Sequence, residues 1–124
     1  MLIEELMKKP IVIEKDIMLA DAARLMTKHK ISSLILLIKE KIEGIITYED
    51  LVAHFGEKKK VSEIMIRQVL TVKKRDKLQK VMDLIREKNI SVVPVVDGKD
   101  SLVGIIHVKD ILNNACSNDE FLME

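Results

Sequence analysis

At 124 residues, 48% of them hydrophobic and 33% charged, the chain can bury a real core but is too short for two independent domains of ordinary size. Its net charge of +1 gives no general pull toward nucleic acid, membrane or an acidic partner. Cys116 is the sole cysteine, which excludes an internal disulfide and suits a reducing compartment.

In chain order, the start Met1-Leu2-Ile3-Glu4-Glu5 lacks the basic opening and long apolar stretch of a secretory signal. Leu2 to Met7 reads as a lead-in, followed by a short extended piece, Ile11 to Ile13, and a helix from Leu19. An apolar strand, Leu34 to Ile38, turns at Lys39-Glu40-Lys41 into a second strand that ends at Thr47, where a second helix begins. Leu34 to Ile38 is the densest apolar run and is far too short to cross a bilayer, so a cytoplasmic protein without a membrane partner is expected.

Gly56-Glu57-Lys58-Lys59-Lys60 reads as a solvated linker, and Val61 to Met65 as a second lead-in. Leu70 to Val72 is again extended. Leu78, Val81, Met82 and Ile85 at i, i+3, i+4 and i+7 predict a helix, with Asp76 as its cap. The strand Val92 to Val96, a hairpin turn marked by Asp97-Gly98, a strand ending at His107 and a last helix complete the series. Ser117 to Glu124 has a cap-like start and apolar residues suited to dimerisation. The expected divisions are 1–56 for a first unit with its lead-in, 57–60 for the linker, 61–113 for a second unit and 114–124 for a tail.

The two halves are copies of one another. Leu19 to Met26 aligns with Leu78 to Ile85 at a shift of 59 residues (19 to 78), and Ile31-Ser32 falls on Ile90-Ser91 at the same shift. Gly44 to Leu51 falls on Gly104 to Ile111 at a shift of 60 (44 to 104), the extra residue belonging to the longer turn Asp97 to Ser101. The order β-α-β-β-α thus occurs twice. The strands are nearly continuous runs of Ile, Leu and Val, which require cover on both faces. One helical layer covers one face only, so the two copies are expected to pack into a single pseudo-symmetric body.

Gly44-Ile45-Ile46-Thr47-Tyr48-Glu49-Asp50 places a hydroxyl at a strand-to-helix junction and a carboxylate three residues on. Two readings of this spacing stand side by side. Thr-x-x-Asp forms a capping box, in which each side chain satisfies an orphan amide. The same turn suits a nucleotide: amides at a helix start bind phosphate, a threonine hydroxyl adds a donor, and a nearby carboxylate accepts ribose hydroxyls.

The repeated block Gly-h-h-Thr-x-x-Asp, where h is apolar, together with Ile90-Ser91-Val92-Val93-Pro94-Val95-Val96, resembles a tandem pair of cystathionine-β-synthase (CBS) domains, a Bateman module. The resemblance covers about Leu6 to Leu112. It implies an α/β (α+β) fold of two β-α-β-β-α CBS repeats packed with pseudo-two-fold symmetry. It also implies a regulatory, energy-sensing function in which AMP, ADP, ATP or S-adenosylmethionine binds in clefts between the repeats. Each cleft takes its ribose and phosphate turn from one repeat and its base pocket from the other.

Carried over by resemblance, the main cleft combines Thr47 and Asp50 with Thr71, Val72, Ser91, Val92, Val93 and Pro94, and Tyr48 borders the ligand. The second cleft combines His107 and Asp110 with Ile13, Ser32, Ser33 and Ile35. It departs from the family pattern twice, with His107 in place of Ser or Thr and Ile35 in place of Pro. One good site and one weak site are therefore expected. His107 would meet a phosphate when protonated, its neutral form being less useful there. The resemblance further implies a homodimer and a separate effector protein, with no cofactor beyond the adenosine-type ligand.

The other residues are less informative. His29, His54 and His107 have no neighbours at metal-ligand spacing, so no metal site is expected. No nucleophile-base pair or Gly-rich phosphate loop is visible, and Cys116 lacks a catalytic partner pattern, so no enzymatic activity or catalytic residue is expected. Met26, Met65 and Met82 read as core filler. The competing function is nucleic-acid binding, which an aromatic share of 2% disfavours, or partner docking without any small ligand.

Overall fold

The computed structural model describes residues 2–116. After a 3-10 turn at Ile3–Glu5, the first repeat runs β1 (Val12–Ile13), α1 (Leu19–His29), β2 (Ser33–Ile38), β3 (Lys41–Thr47) and α2 (Tyr48–Ala53). A one-turn helix, α3 (Val61–Ile64), follows. The second repeat gives the same order: β4 (Val72–Lys73), α4 (Leu78–Lys88), β5 (Val92–Val96), β6 (Leu102–His107) and α5 (Val108–Cys116). The fold is mixed α+β, with β-α-β-β-α present twice. The tail Ser117 to Glu124, considered for dimerisation, lies outside the described residues.

Each repeat builds a three-stranded sheet, ordered β1-β2-β3 and β4-β5-β6. In both, the outer pair is parallel and the hairpin pair antiparallel, since a parallel neighbour needs a crossover and α1 or α4 supplies it. Leu19, Ala22 and Met26 form the buried stripe of α1, packed with Ile13, Leu34, Leu36 and Ile46. The corresponding core around α4 contains Val81 with Val72, Val93, Val95 and Ile106. Here one expectation fails: Met82 is 41% exposed, and Leu84 packs in its stead. The apolar stripe of α4 runs through Leu78, Val81, Leu84 and Ile85, so residue 82 falls on its outer flank.

Asp76 also has a different role from the expected cap. Lys77 occupies the N-cap of α4 without a side-chain bond. The Asp76 carboxylate instead accepts the Lys73 amide at 2.8 Å and the Lys80 ammonium at 3.1 Å, closing the turn after β4. The Lys73 N–H, reinforced by Lys80, holds this carboxyl below the usual carboxylate range.

The chain divides into two compact units whose limits differ from those of the repeats. One is Pro10–Val69; the other joins Met1–Lys9 to Leu70–Glu124. The lead-ins are exchanged. Val61 and Met65 are buried in the core of the first repeat, and Ile3 in that of the second, with Met7 packed against it. The exchange is fixed by matching backbone bonds. Val61 N–H donates to the Ile17 carbonyl at 2.8 Å and Ile3 N–H to the Asp76 carbonyl at 3.1 Å. Ile66 pairs with Ile45, and Lys8 with Ile105, each through two bonds of 2.8–2.9 Å.

These segments cover strand edges that would otherwise expose unpaired amides. The close approach explains the repeated glycine. A Cβ on Gly44 would lie 2.5 Å from Met65 Sδ and 2.9 Å from the Ile66 carbonyl oxygen; one on Gly104 would lie 2.6 Å from Met7 Sδ. The expected linker is likewise partly tied down, because the Lys59 carbonyl accepts the Leu19 N–H at 2.9 Å, at the start of α1.

Candidate functional site

Both strand-to-helix junctions follow a Gly-Ile-Ile stretch that ends on a polar residue. Thr47 closes β3 opposite Ser33, and the first amide of α2, that of Tyr48, donates to the Ser32 carbonyl at 2.8 Å. His107 closes β6 opposite Val92, and the Val108 amide donates to the Ser91 carbonyl at 2.8 Å. Each junction is therefore pinned to the first residues of the neighbouring strand.

Within Pro10–Val69 the structure brings Thr47, Tyr48 and Asp50 together with Ile13, Ser32, Ser33 and Ile35. The other unit contains His107 and Asp110 along with Thr71, Val72, Ser91, Val92, Val93 and Pro94, of which Val92 pairs directly with His107. Each unit thus carries the sugar and phosphate turn expected for one cleft and the base-side residues expected for the other. Ile13, Val72 and Val93 have side chains in the cores, so contact with a ligand would fall to their backbone groups. Ile35 and Pro94 are fully buried, Ser33 is buried and Thr71 is exposed.

The two turns differ in chemistry. The Asp50 Oδ2 accepts both the Thr47 amide, at 2.8 Å, and the Thr47 hydroxyl, at 2.9 Å. With the Asp50 amide facing the Thr47 side chain, this makes a capping box. Oδ1 of the half-buried Asp50 accepts no hydrogen bond among the described residues, so an acceptor stays open beside the helix start.

At the second turn, Asp110 Oδ2 accepts the His107 amide at 3.2 Å, while His107 Nδ1 accepts the Lys109 amide at 3.1 Å. An Nδ1 that accepts a hydrogen bond carries no proton, so the imidazole caps α5 in its neutral form. Burial, joined by the Lys109 and Lys8 charges and opposed by Asp110, keeps the His107 pKa below its usual value. The cationic His107 that would meet a phosphate is disfavoured here.

Sequence reasoning missed Lys8. Its ammonium lies 2.7 Å from Asp110 Oδ1, on a side chain only 7% exposed. Lys8 corresponds to Ile66 through the matched bridges to Ile105 and Ile45, and comparing the two lead-ins would have revealed the substitution.

The first unit also has an apolar groove of about 700 Å³ between α1 and α2, lined by Leu19, Met26, Ile31, Leu51, Val52 and Phe55 among others. Tyr48 is the one expected site residue on its wall. Phe55 beside it is 90% exposed. Among the described residues no cluster of His, Cys, Asp and Glu could hold a metal ion, and no helix is long and apolar enough to cross a membrane.

A family model described as CBS domain matches residues 3–57 and 61–116. L-aspartate semialdehyde sulfurtransferase of Methanocaldococcus jannaschii is 36% identical over 108 residues, covering 86% of this chain and 21% of that protein. Inosine-5′-monophosphate dehydrogenase of the same organism is 31% identical over 110 residues, covering 88% of this chain and 22% of that protein. The chain thus spans about a fifth of the length of these curated relatives. Among solved structures, the CBS domain pair of protein MJ0100, in complex with 5′-methylthioadenosine and S-adenosyl-L-methionine, superposes with a TM-score of 0.88 at 32% identity. That match covers 94% of this chain and 97% of the other.

Proposed function

Because this chain belongs to the CBS domain family and carries two such domains in tandem, we propose that it is a regulatory module that binds an adenosine-containing ligand. AMP, ADP, ATP and S-adenosylmethionine are the candidates. The observation that carries this reading is the Asp50 Oδ1 at the start of α2, left as an acceptor for sugar hydroxyls while Oδ2 closes the turn. The similar domain pair of MJ0100, seen with methylthioadenosine and S-adenosylmethionine, supports the ligand class.

In this reading Thr47 and Asp50 take the phosphate and sugar. Thr71, Val72 and the Ser91 to Pro94 segment take the base, largely through backbone groups, and Tyr48 borders the ligand. His107 and Asp110, with Ile13, Ser32, Ser33 and Ile35, form a weaker counterpart. The bound ligand acts by favouring the arrangement to which it binds more tightly, and it can shift the equilibrium only by that difference in affinity. The module catalyses nothing itself, is cytoplasmic, and passes its signal to a separate effector.

A homodimer belongs to the same reading. The apolar groove with exposed Phe55, Val52 and Tyr48 is a surface a second copy would cover. Thermal-shift titration against AMP, ADP, ATP and S-adenosylmethionine tests the function, because a ligand specific for the folded chain must raise Tm by mass action. A flat response to all four, at millimolar concentration, would end the proposal.

A further inference from the structure

The two helix starts differ at His107 and also through one residue from the opposite end of its unit. Lys8 is placed by its lead-in: its amide and carbonyl make two bonds of 2.9 Å with Ile105, on the strand that leads into α5. From there its ammonium reaches Asp110 Oδ1 at 2.7 Å, with 64% of its own side chain still exposed and 7% of the aspartate's. That oxygen is buried and has no well-formed hydrogen bond among the described residues, and the Lys8 ammonium is its ion-pair partner. The other oxygen is taken by the His107 amide. At the matching place in the first unit stands Ile66, which makes the same two backbone bonds to Ile45 and brings no charge.

We propose that Lys8 is an internal competitor for Asp110: the ion pair withholds from sugar hydroxyls the carboxylate that its counterpart, Asp50, leaves open. Any ligand that used the second turn as the first is used would have to displace an ammonium 2.7 Å from a buried carboxylate, the charge that pairs with it there. Lys8, alongside the His107 substitution, thereby makes the two sites of one chain unequal. This inference rests on the ligand reading above and adds to it the residue that sets the number of sites.

Isothermal titration calorimetry on the full chain, with AMP, ATP and S-adenosylmethionine as probes, tests it. Wild type should saturate near one ligand per chain. Lys8→Ile, which copies the first unit, should show a second binding event strengthened at least ten-fold, and so should Lys8→Ile with His107→Thr. Adding Asp110→Ala to Lys8→Ile should remove that event again. Thermal melts verify that each variant folds, and Lys8→Met serves should the isoleucine variant not fold.

Two equal sites in wild type, or one site in wild type that Lys8→Ile and the double variant leave unchanged or weakened, would overturn the inference while leaving the ligand reading intact. Binding by Lys8→Ile where wild type binds none would support it. No binding by any variant to any probe would overturn both.

Discussion

The two repeats share their elements, their sheet order and even the position of a hairpin irregularity, after Leu36 in one and after Val95 in the other. They part company at the junction where chemistry could occur. One turn has Thr47, a carboxylate with a spare oxygen, and Ile66 nearby; the other has a neutral capping His107 and a carboxylate occupied by Lys8. Duplication preserved what the backbone needs and released the side chains. Equivalent turns in a repeat therefore need not carry equivalent chemistry.

The sharpest way to test the comparison is to disturb what the repeats share. Gly44→Ala drives a Cβ against the Ile66 backbone, which cannot give way without breaking the Ile45 bridge, whereas the atoms nearest a Cβ at Gly104 belong to the Met7 side chain. Gly44→Ala should cost about 2–3 kcal/mol and Gly104→Ala about 1 kcal/mol or less, read from urea denaturation. Equal costs would show that the lead-ins are held with equal stiffness.

Next in size are the carboxylates. Asp50→Ala should weaken adenosine-ligand affinity at least ten-fold, about 1.4 kcal/mol, while Asp110→Ala should change it by less than about two-fold. Calorimetric titration of both variants checks this, and a larger loss at Asp110 would reverse the assignment of main and minor turn.

A smaller effect concerns how the lead-ins are anchored. Asp16 accepts the Ser62 amide at 2.9 Å and also the Ser62 hydroxyl, at the start of α3, whereas Arg75 stands at the corresponding place in the second repeat. Partial burial raises the Asp16 pKa, but the Ser62 hydroxyl and amide, with Lys60 and Arg67, lower it further, and the net position is below the ordinary value. A depressed carboxyl stabilises the fold above its unfolded pKa, near 3.9, and loses that contribution as pH falls through its folded value. Asp16→Ala should accordingly cost about 1 kcal/mol at pH 7 and much less near pH 3, and Arg75→Ala little at either. Thermal melts across that range give the answer.

The smallest expected effect lies at the helix ends. Lys30 and Asn89 both end their helices in the left-handed region, at φ 54° and 52°. Asparagine tolerates this conformation better than lysine, so Lys30→Asn should stabilise by about 0.5 kcal/mol and Asn89→Lys should do the reverse. A comparison of Tm values for the two variants is sufficient.

Much of the fold was legible in the residues. Repeated Gly44 and Gly104, the unbroken apolar strands and the Thr47 to Asp50 junction identified the element order, because local sequence largely dictates strand, turn and helix start. The exchange of lead-ins was not legible. Leu2 to Met7 and Val61 to Met65 are short apolar pieces that would plug either repeat equally well, and only tertiary pairing decides which. Met82 was misplaced because i+3 and i+4 neighbours fall on opposite flanks of a helical stripe. Lys8 escaped notice because a lysine in the pair Lys8-Lys9 reads as solvated until its backbone is seen bridged to Ile105. At the site, the capping-box reading and the binding reading use the same Asp50 carboxylate, one oxygen for each, so spacing alone had no means of choosing between them.

The swapped lead-ins also decide where the molecule can be cut. Pro10–Val69 is a contiguous stretch nested inside a unit whose own two pieces lie on either side of it. Cleavage in the lysine run at 58–60 would strip Val61 and Met65 from the interior they fill, and part Ile3 and Met7 from theirs. A fragment bounded by 10 and 69 keeps its whole interior, so the severable piece is an insert and not a half.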